Sequence, residues 1–231
     1  MIKEILEYSF KNNLGHIPSA LSMSIYVPII FKFINRNNNI IIGKPFGSQT
    51  YYLTWKDLGW LENIEKLHMG VKHDEIDFID YSEETIGNAL GVASGIELAN
   101  KKKTYVNISD GCLQMGPTLE AIQFIGKHQQ NILVTVDYNN SQVTGNCNDI
   151  IPVEPTKYFF SANRWIVYEI DGHNEKEIFN IMNIVKNITT PVVIFFKTKK
   201  GYGVPQMEEE NWHYRKLDEK NFTQILNSVK A

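Results

Sequence analysis

Apolar positions along the chain follow two alternating patterns. Ile2, Ile5, Leu6 and Phe10 lie on one stripe at helical spacing, which predicts an amphipathic helix over 1–12. Short runs rich in β-branched residues at 40–42, 104–108, 132–136, 165–170 and 191–196 predict strands instead. Helical segments are expected at 15–35, 86–100, 116–128 and 175–187, and in the tail from 218. Strands that are apolar throughout, each followed by a helix, predict an α/β fold: a parallel sheet with helices on both faces. The connections should be right-handed crossovers. Ligands of such sheets sit beyond the carboxyl ends of the strands. The polar turns at 109–112, 137–141, 171–173 and 197–203 all fall at that edge.

Composition narrows the picture. The 231 residues carry no repeat, low-complexity tract or Pro/Gly/Ser linker, so 1–231 reads as a single domain. Apolar residues make up 43% and charged residues 21%, enough for an ordinary core. A net charge of −3 argues against nucleic acid as a partner. A membrane span needs about 20 apolar residues, and the best run, 25–34, is interrupted by Pro28 and Lys32. The acidic start MIKEILEYSF does not read as a signal peptide. Two cysteines, Cys112 and Cys147, make no disulfide framework, so a cytoplasmic location is expected.

Three segments carry candidate chemistry. Ser109-Asp110-Gly111-Cys112 puts a carboxylate directly after a buried strand, with a glycine that lets a bound group approach the backbone. Taken alone it reads equally well as an N-cap and a turn. Asp137-Tyr138-Asn139-Asn140 follows the next strand; Asn139 has a carbonyl suited to Mg²⁺, and alone it is a plain Asn turn. Together they mean more. The 28 residues between Asp110 and Asn139 hold one helix and one strand, so the two oxygen donors should face one crevice and could hold one metal on a diphosphate. Gly87, Gly91 and Gly95 recur on one helical face. Each costs about 1 kcal/mol against Ala in a helix interior, so either a neighbouring helix packs closely or a ligand approaches the helix start.

The order Gly-His, Lys-x-x, Ile-Gly-x-x-Leu-Gly, Asp-Gly-Cys-Leu-Gln-x-Gly-x-x-x-Glu-Ala, Asp-x-Asn, Asp-Gly-His, Lys-Thr-x-x-Gly-Tyr-Gly and Trp-His resembles transketolase over about residues 12–215, most specifically at 110–145. The similarity is to the N-terminal, diphosphate-binding half. It implies a thiamine diphosphate cofactor held by Mg²⁺ or Ca²⁺, with Asp110, Asn139 and the carbonyl of Ser141 as ligands. Ile86, Gly87, Gly111 and Cys112 would line the cofactor. His16 and His213 would face thiazolium and substrate, and Glu120 would join a carboxylate network where two chains meet. Full-length transketolases also carry a pyrimidine-binding and a C-terminal domain, which have no counterpart here. The resemblance therefore implies one subunit of a split transketolase, active only with a pyrimidine-binding partner in an α2β2 heterotetramer. The reaction implied is transfer of a two-carbon ketol unit from a ketose donor to an aldehyde, sugar or sugar phosphate, in a specialised pathway. His73 is a weak match to a substrate-binding His of the family, while His128 and His173 read as helix-end and helix-start residues.

Four departures bear on the substrate more than on the cofactor. Ser109 replaces a glycine, which an extended backbone tolerates. Phe46 stands where the family has a His, and a phenyl ring neither donates nor accepts a proton. Met115 replaces an acidic residue, and Glu83-Glu84-Thr85 brings two carboxylates that are unfavourable near a diphosphate unless they point away. Two other readings stay open: a related thiamine enzyme, deoxyxylulose phosphate synthase-like or decarboxylating, and a non-catalytic scaffold.

Overall fold

The computed structural model describes residues 1–65, 67–209 and 212–229. The first stripe forms helix α1 (Ile2–Lys11). The helix expected at 15–35 is instead two, α2 (Ile17–Met23) and α3 (Tyr26–Phe31). Ser22 and Ser24 turn their hydroxyls back to the carbonyls of Ser19 and Leu21, at 3.0 and 2.8 Å. Pro28 offers no N–H to the carbonyl of Ser24, and the ladder breaks there.

Next come β1 (Asn39–Ile42), α4 (Ser48–Asp57), β2 (Tyr81–Ser82), α5 (Ala89–Asn100) and β3 (Thr104–Ser109). A 3-10 turn, Asp110–Gln114, leads into α6 (Gly116–His128) and β4 (Ile132–Tyr138). The small antiparallel pair β5 (Ser141–Gln142) and β6 (Gly145–Asn146) precedes α7 (Cys147–Ile150) and α8 (Glu154–Ala162). Then follow β7 (Ile166–Asp171), α9 (Glu175–Val185), β8 (Val192–Lys197), α10 (Pro205–Glu209) and α11 (Glu219–Ser228). Asp218 and Asn221 close a capping box on α11.

Six strands make one parallel sheet in the order β2-β1-β3-β4-β8-β7. Successive side chains on a strand alternate between two cores. Val192, Ile194 and Phe196 pack with α1 to α4 and α9, and Val193 and Phe195 pack with α5, α6 and Phe160 of α8. The sheet is thus covered on both faces, as the continuous apolar strands require. Strand β4 extends through Asp137 and Tyr138, which the polar residues at 137–140 had suggested were loop. Asp137 pairs with Phe196 of β8 and keeps the ladder because its carboxylate finds buried donors. Among the described residues no helix is long and apolar enough to cross a membrane.

Candidate functional site

A cavity of about 520 Å³ opens at the carboxyl ends of β1, β3, β4 and β8. Its lining includes His16, Lys44, Phe46, Ile86, Ser109, Asp110, Gly111, Asn139, Ser141, Lys200 and His213. Register explains the convergence: Ser109 pairs with Asp137 across β3 and β4, so the residues after each strand emerge side by side.

Asp110 is 1% exposed. One carboxylate oxygen accepts from the backbone N–H of Gly111 at 2.9 Å, the other from that of Asn140 at 2.6 Å. Among the described residues no ammonium, guanidinium or imidazole forms an ion pair with it. Burial, reinforced by the nearby charge of Asp137, pushes its carboxyl up to about 6. Asn139 donates its amide N–H to Asp137 at 2.9 Å, and its oxygen accepts from the N–H of Ser141 at 3.0 Å. A buried carboxylate without a cationic partner, beside an amide oxygen with a lone pair to spare, is a donor set for a hard divalent cation, and these residues fit one. Both donors are oxygens, a carboxylate and an amide, so the set suits an oxygen-seeking ion rather than zinc, which takes nitrogen and sulfur ligands.

Two histidines form the opposite wall. His16 precedes α2 with φ +55°. Its ring stacks on Phe46 at 4.7 Å and meets His213 edge-on at 4.7 Å. Burial and the charges of Lys200 and Lys44 lower His16 to about 4. His213 is lowered to about 4 by burial, Lys200 and His16. Lys200 contacts Nδ1 of His213 at 3.0 Å and Oγ of Ser141 at 3.2 Å. Burial lowers its own affinity for a proton.

The other expected site residues are placed differently. Cys112 is buried in the core, its thiol pushed up to about 12 by burial, and it is not in the cavity lining. Gly87 sits behind Ile86 at φ +123°, where an added Cβ would meet Met115 at 3.0 Å. Glu120 is exposed on α6, away from this cavity. His73 bonds Ser82, His128 packs on Phe124, and His173 stacks on Tyr202 while accepting from the N–H of Lys199 at 2.9 Å. Ser109 is extended, at φ −97° and ψ 165°. Glu83 points away from the cavity and accepts from the N–H groups of Gly87 and Asn88 at the start of α5, at 3.1 and 2.9 Å. Lys200 escaped sequence reasoning; the only signal was its place in the Lys-Thr-x-x-Gly-Tyr-Gly stretch at a strand end.

Residues 88–228 match the family model described as "Transketolase, thiamine diphosphate binding domain". The chain is 30% identical to the transketolase of Rhodobacter capsulatus, over 84% of this chain and 34% of that protein. It therefore spans about a third of the full-length transketolases it matches. It is 26% identical to the 6-deoxy-6-sulfo-D-fructose transketolase subunit SqwG of a Clostridium species, over 87% of this chain and 82% of that one. With an apulose-4-phosphate transketolase subunit of Phocaeicola vulgatus it shares 22% identity, over 92% of this chain and 85% of that one. The crystal structure of Campylobacter jejuni transketolase superposes with a TM-score of 0.78 at 20% identity, covering 98% of this chain and 41% of that one, which shows the same fold.

Proposed function

Because the chain belongs to the transketolase family through its thiamine diphosphate-binding domain, we propose that it is the diphosphate-binding subunit of a split transketolase. Its reaction is transfer of a two-carbon ketol unit from a ketose donor to an aldehyde or sugar acceptor. The observation that carries this reading is the buried carboxylate of Asp110, which has no ion-pair partner among the described residues and faces the same cavity as Asn139. In this reading residues 1–231 are a single domain. Asp110, Asn139 and the carbonyl of Ser141 hold Mg²⁺, or Ca²⁺ in its place, and the metal binds the diphosphate. Ile86 and Gly111 contact the cofactor directly, with Gly87 and Cys112 shaping the backbone behind them. Thiamine diphosphate supplies the carbon nucleophile and electron sink that carbon–carbon cleavage needs.

The chain's own residues bind, orient and move protons. Burial keeps His16 and His213 neutral at pH 7. His16 then has a lone pair for a substrate hydroxyl proton, while His213, whose Nδ1 accepts from the ammonium of Lys200, keeps an Nε2–H to donate to a substrate oxygen. The ammonium of Lys200 adds positive charge beside the diphosphate site. Glu120 meets a carboxylate network on another chain.

Relatives named as subunits, of which this chain covers 82% and 85%, support a partner that brings the pyrimidine-binding domain. An α2β2 assembly would place each site between two different chains. Those relatives act, by name, on a sulfonated and a branched sugar, which favours a specialised sugar pathway here. A cytoplasmic setting accords with two buried free thiols.

The test is to co-purify the chain with a pyrimidine-binding chain encoded beside it and assay ketose donors with thiamine diphosphate and Mg²⁺. Turnover is expected from the pair and not from either chain alone; turnover by this chain alone would refute the split-subunit reading. Asp110→Ala should leave assembly intact and abolish metal-dependent cofactor binding in calorimetry. Unchanged affinity would mean that the metal lies elsewhere.

A further inference from the structure

Directly below the cavity, one carboxylate gathers donors from four parts of the chain. Asp137 on β4 is fully buried. Its Oδ1 accepts from the hydroxyl of Thr198, after β8, at 2.5 Å. Its Oδ2 accepts from Ser22 of α2 at 2.6 Å and from Nδ2 of Asn139 at 2.9 Å, and it pairs with the ammonium of Lys44, after β1. On the reading of Asn139 as a cation ligand, we infer that Asp137 is a positioning residue: it fixes the Asn139 carboxamide with nitrogen inward and oxygen toward the cation, while Lys44 balances its charge.

The reason is chemical. The two ends of a carboxamide are nearly the same size, but only the oxygen serves a metal. An ionised carboxylate only accepts, so the end of Asn139 that faces Asp137 has to be the NH₂. A half-turn of the amide would lose that bond and set two oxygens against each other. Asp137 cannot take the cation itself, since its oxygens are occupied by Ser22, Lys44, Asn139 and Thr198 and closed to the cavity. With Lys44 cancelling its charge, Asp110 is the buried carboxylate of the cavity lining that has no ion-pair partner among the described residues. A buried ion pair is seldom the most stable filling for its space, which points to orientation of Asn139 as the gain.

Asp137→Asn alone would strand a buried ammonium, so the test pairs it with Lys44→Met, which removes both charges. Two measurements are made on the full chain assembled with its partner. The first is affinity for Mn²⁺ with thiamine diphosphate, by calorimetry. The second is exchange of the Asn139 side-chain NH₂ protons by NMR, with the signals assigned by their loss in Asn139→Ala. The expected result is binding weakened 10- to 100-fold and NH₂ exchange accelerated at least 10-fold, with the melting transition still cooperative. Affinity and exchange both equal to wild type would overturn the inference, and so would weakened binding with unchanged exchange, which would make the effect electrostatic. If the wild-type chain assembled with its partner binds no Mn²⁺ with the cofactor, the ligand reading of Asn139 fails and the inference falls with it. In Asp110→Asn, binding should be lost while Asn139 exchange stays slow; that result separates loss of a ligand from loss of positioning.

Discussion

His16 holds a left-handed backbone, φ +55°, which few side chains adopt without local compensation. Its ring lies between Phe46, His213 and Tyr214, and its Nδ1 is buried without a hydrogen-bond partner. A charged imidazole is poorly tolerated there. The folded pKa, about 4, lies below the ordinary 6.5, so the unfolded chain takes protons that the folded one refuses. Stability is therefore full above about pH 6.5 and falls as the pH drops through 6.5 toward 4, by on the order of 3 kcal/mol from this ring. His16→Asn, which keeps a residue tolerant of positive φ, should flatten that slope in urea melts of the metal-free protein taken between pH 7 and 4. An unchanged slope would assign the acid sensitivity to other groups. The residues of this wall were legible as His16 and His213, but their neutrality was not. It follows first from burial in the assembled wall and then from Lys200 and Lys44, which the fold brings in from distant segments.

Helices differ in how much of themselves they reveal. Helix α6 matches its expected bounds because its apolar stripe faces one core. Helix α4 gave no signal, since its polar residues are buried too: Thr50 donates to the carbonyl of Ala20 at 2.7 Å, Gln49 to that of Gly15 at 2.9 Å, and Tyr51 to Asn107 at 2.5 Å. A helix buried on all sides shows no amphipathic period. The glycines of α5 and α6 likewise divide by environment. Added Cβ atoms at Gly91 and Gly95 would meet nothing within 4 Å, so of the two alternatives raised by their spacing, close packing of a neighbouring helix is not found at these two positions among the described residues. Gly91→Ala and Gly95→Ala should each stabilise the isolated chain by about 0.5–1 kcal/mol. At Gly126 the carbonyl oxygen of Asn163 stands 1.8 Å from where the Cβ would be. Gly126→Ala should cost about 2 kcal/mol or more, because backbone has to move. Chemical denaturation of the three variants checks both signs.

At the scale of the molecule, the ends of β1, β3, β4 and β8 bring Lys44, Asp110, Asn139 and Lys200 around one crevice, and the segments before α2 and after α10 add His16 and His213. Asp110 contributes a buried charge that a cation would stabilise, since burial and the charge of Asp137 raise its pKa to about 6. Thiamine diphosphate and Mg²⁺ together should therefore raise the melting temperature of the partner-bound assembly more than the sum of either alone. At 100 times the dissociation constant the gain is about 2.7 kcal/mol, or roughly 5–10 °C. Strictly additive shifts would argue against a shared site.

From the sequence alone came the α/β class, the bounds of most strands, and the loops that carry Asp110 and Asn139. These are local properties: runs of β-branched residues, helical stripes, and polar turns at regular intervals. Tertiary structure alone decided that Glu83 turns away to cap α5, that Cys112 faces the core, and that Lys200 enters the cavity. It also decided that Asp137 meets Ser22, Lys44 and Thr198 across 115, 93 and 61 residues of chain. A pattern read over one or two turns specifies which face of an element is apolar. It does not specify which distant element will lie against that face, and the direction and charge of each polar side chain in the site depend on that neighbour.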